Sequence, residues 1–250
     1  MCFDLDSEPP IPRIAGAAVS HDDLVLTSAD GNSFAAFLAA PDAPTTTGVV
    51  IFPDVRGLFH FYEELALRFA ERGHLAIAFD YFGRTAGAAK RDGEWEYMPH
   101  VEQTTDEGVQ AGAGAAIDEL RSRGATSVFS VGFCFGGRAS WVAAASSHGL
   151  AGSIGFYGSP TRERGGASVV ARADQIECAI LALQAGDDQG ITADDNAAFE
   201  QALTQAGVDH EIVVYDGAPH SFFDRKQEDY AEASDDAWQR TLAFVAQHSS

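Results

Sequence analysis

Cys134 is the residue in this chain whose neighbours lend it the most chemistry. It sits in Val128-Phe129-Ser130-Val131-Gly132-Phe133-Cys134-Phe135-Gly136-Gly137-Arg138-Ala139, where a β-rich apolar run gives way to small residues and then to a helix. A side chain at a tight strand-to-helix corner projects from a sheet only if its neighbours leave room, and the glycines at 132, 136 and 137 leave it. The helix that follows aims free N–H groups and a partial positive charge at the corner, which favours a thiolate and then an oxyanion at that spot. The pattern is G-x-S-x-G with a thiol in place of the hydroxyl, so the chemistry it suggests is nucleophilic attack on a carbonyl. Most free cysteines are simply small buried hydrophobes; Cys2, in a polar terminus, and Cys178, opening an apolar strand, are assigned that ordinary role.

A thiol at a corner needs a base, and the base needs a partner to orient it. Two later turns supply both, in the order nucleophile, acid, histidine. Ala185-Gly186-Asp187-Asp188-Gln189-Gly190 follows the apolar run 179–184, and Asp216-Gly217-Ala218-Pro219-His220 follows the run 210–215. His220 can take the thiol proton and return one to a leaving group, while an aspartate fixes its tautomer and stabilises the imidazolium. Asp187 and Asp188 compete for the orienting role and spacing alone does not settle it; Asp188 is favoured. The other seven histidines lack such a frame.

The elements that must carry these residues alternate along the chain. Leu24–Thr27 and Phe34–Ala39 flank Ala29-Asp30-Gly31-Asn32, a hairpin signal and the antiparallel start of a sheet. Gly48–Phe52 is continuously apolar, as a strand covered on both faces requires. Phe61, Leu65 and Phe69 recur at helical spacing before Gly73 and the buried strand Leu75–Phe79. A long loop from Asp80 to about Val101 follows, and loops of that length in compact domains are often functional. Thr104-Thr105-Asp106-Glu107 caps a helix with Val109, Ala113, Ile117 and Leu120 on one face. After the Cys134 corner come a helix to about His148, the strand Ala151–Tyr157, a polar Arg- and Gly-rich excursion from 158 to 175, and the strand Ala179–Gln184. Thr192 and Asp195 cap a helix, His210–Tyr215 is the last strand, and Trp238, Leu242 and Val245 mark a terminal helix. This alternation implies a parallel sheet with helices on both faces and an active site beyond the strands' carboxyl ends.

A chain of 250 residues without repeats or low-complexity linkers suits one α/β domain, residues 1–250, with the Pro-rich stretch 1–20 as an extended arm. Three cysteines at unrelated spacings give neither a disulfide framework nor a zinc pattern, and a nucleophilic thiol suits a reducing compartment. The acidic terminus lacks the apolar core of a signal peptide and no run approaches membrane-spanning length, so a cytoplasmic location is expected. A net charge of -21 argues against nucleic acid and membrane surfaces as partners. It leaves room for a small anionic substrate, because a few arginines in a cleft can reverse the local potential. No metal motif, Walker loop or dinucleotide fingerprint occurs, so no cofactor is expected; a monomer or small homo-oligomer is.

Three segments together resemble the dienelactone hydrolases of the α/β-hydrolase superfamily: Gly132-Phe133-Cys134-Phe135-Gly136-Gly137, Gly186-Asp187-Asp188-Gln189-Gly190-Ile191 and Gly217-Ala218-Pro219-His220-Ser221-Phe222. The resemblance runs from about Gly48 to the end and implies an α/β-hydrolase fold, a mostly parallel sheet of about eight strands with a minimal lid. It selects Asp188 over Asp187. It also assigns the oxyanion donors to the backbone N–H groups of Val55 and Phe135. Asp54 matches a position where members often carry Glu, whose carboxylate takes part in activating the thiol; here the acid is one methylene shorter. Arg84 keeps the spacing of a carboxylate-binding arginine, and Arg225 falls one residue later than its counterpart, so both are candidate clamps by resemblance. Arg56, beside the oxyanion turn, is a further candidate. The implied activity is hydrolysis of a carboxylic ester or enol-lactone through a thioester. The rivals are a broad carboxylesterase or thioesterase on neutral esters, and a catalytically silent relative that binds a ligand or responds to redox state.

Overall fold

The structure is a computed structural model that describes residues 3–91 and 93–249. Its centre is an eight-stranded sheet in the order β1-β2-β4-β3-β5-β6-β7-β8. β1 (Val19–Thr27) and β2 (Ser33–Pro41) form the expected hairpin, longer at its open end than the apolar run alone indicates, and both pair antiparallel. β2 also pairs antiparallel with β4 (Leu75–Phe79). From β4 onward every pairing is parallel, through β3 (Thr47–Phe52), β5 (Ser127–Phe133), β6 (Gly152–Phe156), β7 (Ala179–Asp187) and β8 (His210–Pro219). Every residue of β3, β4, β5 and β6 is buried, which is why these strands read as continuous apolar runs rather than as alternation.

Helices cover both faces. α1 (His60–Ala70) buries Phe61, Leu65 and Phe69, the residues whose spacing predicts it. Two single turns, α2 (Gly83–Ala86) and α3 (Met98–Val101), interrupt the long loop after β4. α4 (Asp106–Ser122) begins at Thr105, whose hydroxyl accepts from the Gly108 N–H at 3.1 Å. α5 (Phe135–Ala144) starts directly after Cys134 and ends four residues earlier than its pattern suggests. α6 (Ala193–Ala206) carries the full Thr192/Asp195 capping box, and α7 (Ala231–His248) closes the chain. No helix among the described residues is long and apolar enough to cross a membrane.

The arm ahead of β1 is tied into the body. Phe3 stacks on Phe61 at 3.9 Å between ring centroids, and the Ser7 hydroxyl donates to Asp224 at 2.6 Å. Both Phe3 and Ile11 are 2 % exposed, so the arm closes part of the core under α1. Cys2 lies outside the described residues.

Candidate active site

The corner between β5 and α5 holds Cys134 at φ 56°, ψ −111°, a region that side chains seldom adopt. Close packing around the corner enforces it. A Cβ on Gly132 would stand 1.9 Å from the Gly136 carbonyl oxygen, and one on Gly136 would stand 2.1 Å from that of Phe52. The chain can therefore turn here only because those positions carry no side chain. The Cys134 N–H donates to the Phe156 carbonyl at 3.0 Å, locking the corner to the end of β6. The thiol is left at the start of α5, where first-turn amides have no intrahelical acceptor.

β7 and β8 both run on past the apolar residues that mark them, and they deliver the other two groups. Asp188 follows β7 and His220 follows β8 directly. The His220 Nδ1 lies 2.5 Å from Asp188 Oδ2. A second hydrogen bond joins His220 to Cys134. Asp187, in contrast, is exposed. The His220 turn is itself pinned, with Phe222 N–H on the Pro219 carbonyl at 3.1 Å and the Ser234 hydroxyl on the Phe222 carbonyl at 3.0 Å.

Charge in the group is set by competing effects. Burial alone would lower the His220 pKa, but hydrogen bonds and charge from Asp188 and Cys134 outweigh it and raise the imidazole to about 9. Burial would raise Asp188, yet its bonds to His220 and to the Gly190 and Ile191 amides bring it below the usual carboxylate value. Asp54 behaves oppositely. It is fully buried, and burial pushes it up to about 7 against the pull of Arg56 and the Arg56 N–H, with the Cys134 sulfur adding to the rise. Its Oδ2 has no hydrogen-bond partner among the described residues. Asp54 therefore lies close enough to the sulfur for the two ionisations to oppose each other.

A cavity of about 200 Å³ opens over these groups, bordered by Val55, Phe135, Tyr157, Ile191 and by Cys134 and His220 themselves. Both residues assigned as oxyanion donors thus reach its wall. Sequence reasoning missed Tyr157, at φ 37°, whose ring lies 4.9 Å from the His220 ring. Its signal was its place at the carboxyl end of β6, the same position in the sheet that yields the other site residues.

The arginines are arranged differently from expectation. Arg84 does not border the cavity: it turns back from α2 to pair with Asp30 in the hairpin and donates to the Gly108 carbonyl at 3.2 Å. Arg225 does not border it either, because it pairs with Glu8 of the arm. Arg56 serves as the counterion of Asp54 at 3.7 Å, lies over the Phe59 ring, and faces a separate cavity beside Trp95 and Tyr97. Three other arginines reach the Cys134 cavity, namely Arg138, Arg162 and Arg164, the last two from the 158–175 excursion. Cys178 stands apart, its thiol pushed up to about 12 by burial.

Comparisons with known proteins agree with this geometry. Residues 34–249 match the family model of the Dienelactone hydrolase family. The chain is 30% identical over 230 residues to a "Putative carboxymethylenebutenolidase" of Yersinia pestis, covering 87% of this chain and 85% of that one. It is 28% identical to the Carboxymethylenebutenolidase of Rhodococcus opacus, covering 99% and 97%. The crystal structure of a "Putative Dienelactone Hydrolase" from Klebsiella pneumoniae subsp. pneumoniae superposes with a TM-score of 0.80 at 28% identity, over 92% of this chain and 99% of that one. With the sheet order, the strained corner and these likenesses together, the chain belongs to the dienelactone hydrolase family, ester and lactone hydrolases of the α/β-hydrolase fold.

Proposed function

We propose that this chain cleaves carboxylic ester and enol-lactone bonds with Cys134 as nucleophile, His220 as base and then acid, and Asp188 as the group that orients His220. The observation that carries the reading is the unbroken run of hydrogen bonds from Asp188 through His220 to Cys134 at the wall of one cavity. A charged imidazolium beside the sulfur, together with the start of α5, favours the thiolate. The thiolate adds to the carbonyl carbon and the oxygen takes up negative charge, facing the Val55 and Phe135 amides. Collapse of that adduct expels the leaving oxygen, which takes the proton from His220 and leaves a thioester on Cys134. Water then attacks the thioester as His220 accepts its proton, and the second adduct releases the acid and restores the thiolate.

Thiolate is itself a good leaving group, so the first adduct goes forward more readily the more stable the departing oxygen is as an anion. Enolates and phenolates depart far more readily than simple alkoxides. Activated esters and enol-lactones are therefore the favoured substrates, in keeping with the carboxymethylenebutenolidase name of the Rhodococcus opacus relative. Cys134→Ala tests the assignment: hydrolysis of 4-nitrophenyl acetate should fall by about a thousandfold or more. Undiminished turnover by the variant would remove Cys134 from the reaction.

A further inference from the structure

The charge arrangement around the cavity deepens the hydrolase reading and rests on it. The chain has 16 lysines and arginines against 37 acidic residues. Among the described residues, all of the basic ones except Arg162 and Arg164 have a carboxylate within salt-bridge distance. Both exceptions border the Cys134 cavity. Asp195 feels the Arg162 charge, but its oxygens are taken up by Thr161 at 2.5 Å and Thr192 at 2.7 Å. In so acidic a molecule a guanidinium without a carboxylate is the exception, and the two found among the described residues meet at one place.

Their backbone is held as a frame. Asp106 takes Arg138 through two hydrogen bonds of 2.7 and 3.0 Å and Arg172 through one of 2.6 Å. Arg138 in turn donates to the carbonyls of Arg162 at 3.0 Å and Ala167 at 2.9 Å, and the Asp106 N–H donates to the Gly165 carbonyl at 3.0 Å. The loop is thus pinned at 162, 165 and 167, and the ordering cost of presenting its side chains is largely met before a ligand arrives. The Arg164 guanidinium lies 5.7 Å from the centre of the Phe135 ring, above the residue whose amide faces the developing oxyanion.

We propose that Arg162 and Arg164 form an anion clamp at the mouth of the catalytic cavity, selecting esters and lactones that carry a carboxylate. The clamp takes the place that resemblance gave to Arg84 and Arg225, and it comes from a different segment of the chain. A guanidinium that already has a carboxylate partner must lose it before binding another, whereas these two need only shed water.

The test compares kcat/KM within two matched pairs: 4-nitrophenyl butyrate with mono-4-nitrophenyl succinate, and phenyl acetate with 3-carboxyphenyl acetate, each corrected for spontaneous hydrolysis. The wild type should favour the anionic member of at least one pair, and that preference should fall about 10- to 100-fold in an Arg162→Gln/Arg164→Gln double variant. Lysine at both positions should restore part of it, and Arg84→Gln should keep the wild-type ratio. Absence of a preference in both pairs, or the same ratio in the double variant, overturns the clamp. If the wild type turns over none of the four esters, the hydrolase reading fails by itself, and the clamp is then judged by calorimetric titration with succinate. Binding that is lost in the double variant supports it, and no binding to the wild type overturns it.

Discussion

Asp188 Oδ2 stands 2.5 Å from His220 Nδ1, although the two residues follow different strands and lie 32 positions apart in the chain. The neighbouring Asp187 is exposed, and its position is fixed by the irregular pairing of β7 with Pro219 on β8. One position along the chain thus separates a carboxylate bonded to the imidazole from a surface one. Asp188→Asn should lower kcat by about 10² to 10⁴, because the amide can no longer hold the imidazole in its productive tautomer or stabilise its charge. Asp187→Asn should leave kcat near the wild-type value. Steady-state kinetics on an activated ester distinguishes the two.

The His220 shift predicts a pH profile for the thiol. With the imidazole raised to about 9, its positive charge persists beside Cys134 throughout the neutral range. Iodoacetamide should therefore alkylate Cys134 rapidly at pH 6 to 7, where an ordinary thiol is almost wholly protonated, and the His220→Ala variant should react roughly tenfold slower or worse. Stability follows the same charge. The folded pKa lies above the ordinary 6.5, so the contribution of His220 is complete below about 6.5 and is lost as pH rises through about 9. Urea denaturation at pH 6.5 and 9.5 should show a smaller loss in His220→Gln than in the wild type.

Strand positions, parallel pairing and helix placement were legible because each rests on local chemistry, and the expectation that Cys134 and His220 converge rests on the same kind of signal. Buried parallel strands must be apolar throughout, a tight corner must be glycine-rich, and catalytic groups must lie past strand ends. The ends of β7 and β8 were less legible, since their last residues, apart from the buried Ala218, are exposed or half-buried and carry no apolar pattern. The arginines were least legible. Arg84 and Arg225 keep near-family spacing, but whether a long charged side chain reaches a cavity depends on which carboxylate is nearer, and Asp30 and Glu8 are distant in sequence. The same holds for Arg162 and Arg164, whose loop is placed by Asp106 and Arg138 from two other elements.

Asp54 predicts a second titration, in a lower window. Its folded value of about 7 exceeds the ordinary 3.8, so its protonated form is favoured by folding and its contribution is lost as pH rises from about 4 through 7. Asp54→Asn also removes the partner of the buried Arg56, an attraction that the folded value of about 7 already includes. The stability of the variant relative to the wild type should therefore improve between pH 5 and 8, whatever its absolute value. Ionised Asp54 also opposes the thiolate electrostatically, so the alkylation rate of Cys134 in the variant should rise more between pH 6 and 8 than in the wild type. Denaturation and alkylation measured at both pH values test the two statements separately, and parallel curves for variant and wild type would count against Asp54 as a titrating neighbour of the sulfur.

The corner itself is open to test through two glycines that share a residue type and differ in surroundings. A Cβ on Gly136 would meet the Phe52 and Pro53 carbonyl oxygens at 2.1 and 2.2 Å, both backbone atoms that cannot swing aside. A Cβ on Gly112, inside α4, would meet Phe79 no closer than 3.4 Å, an ordinary contact. Gly112→Ala should stabilise the fold by roughly 0.5 to 1 kcal/mol, the usual gain for a helix interior. Gly136→Ala should destabilise it by about 2 kcal/mol or more, since α5 must retreat from the end of β3. That retreat separates the Phe135 amide on α5 from the Val55 amide beyond β3, so turnover of an activated ester should fall further than the loss of folded protein explains. Thermal melts with active-site titration of Cys134 measure both quantities on one sample. An alanine at 136 that leaves the rate per reactive thiol unchanged would mean that the two amides do not act together on the oxyanion.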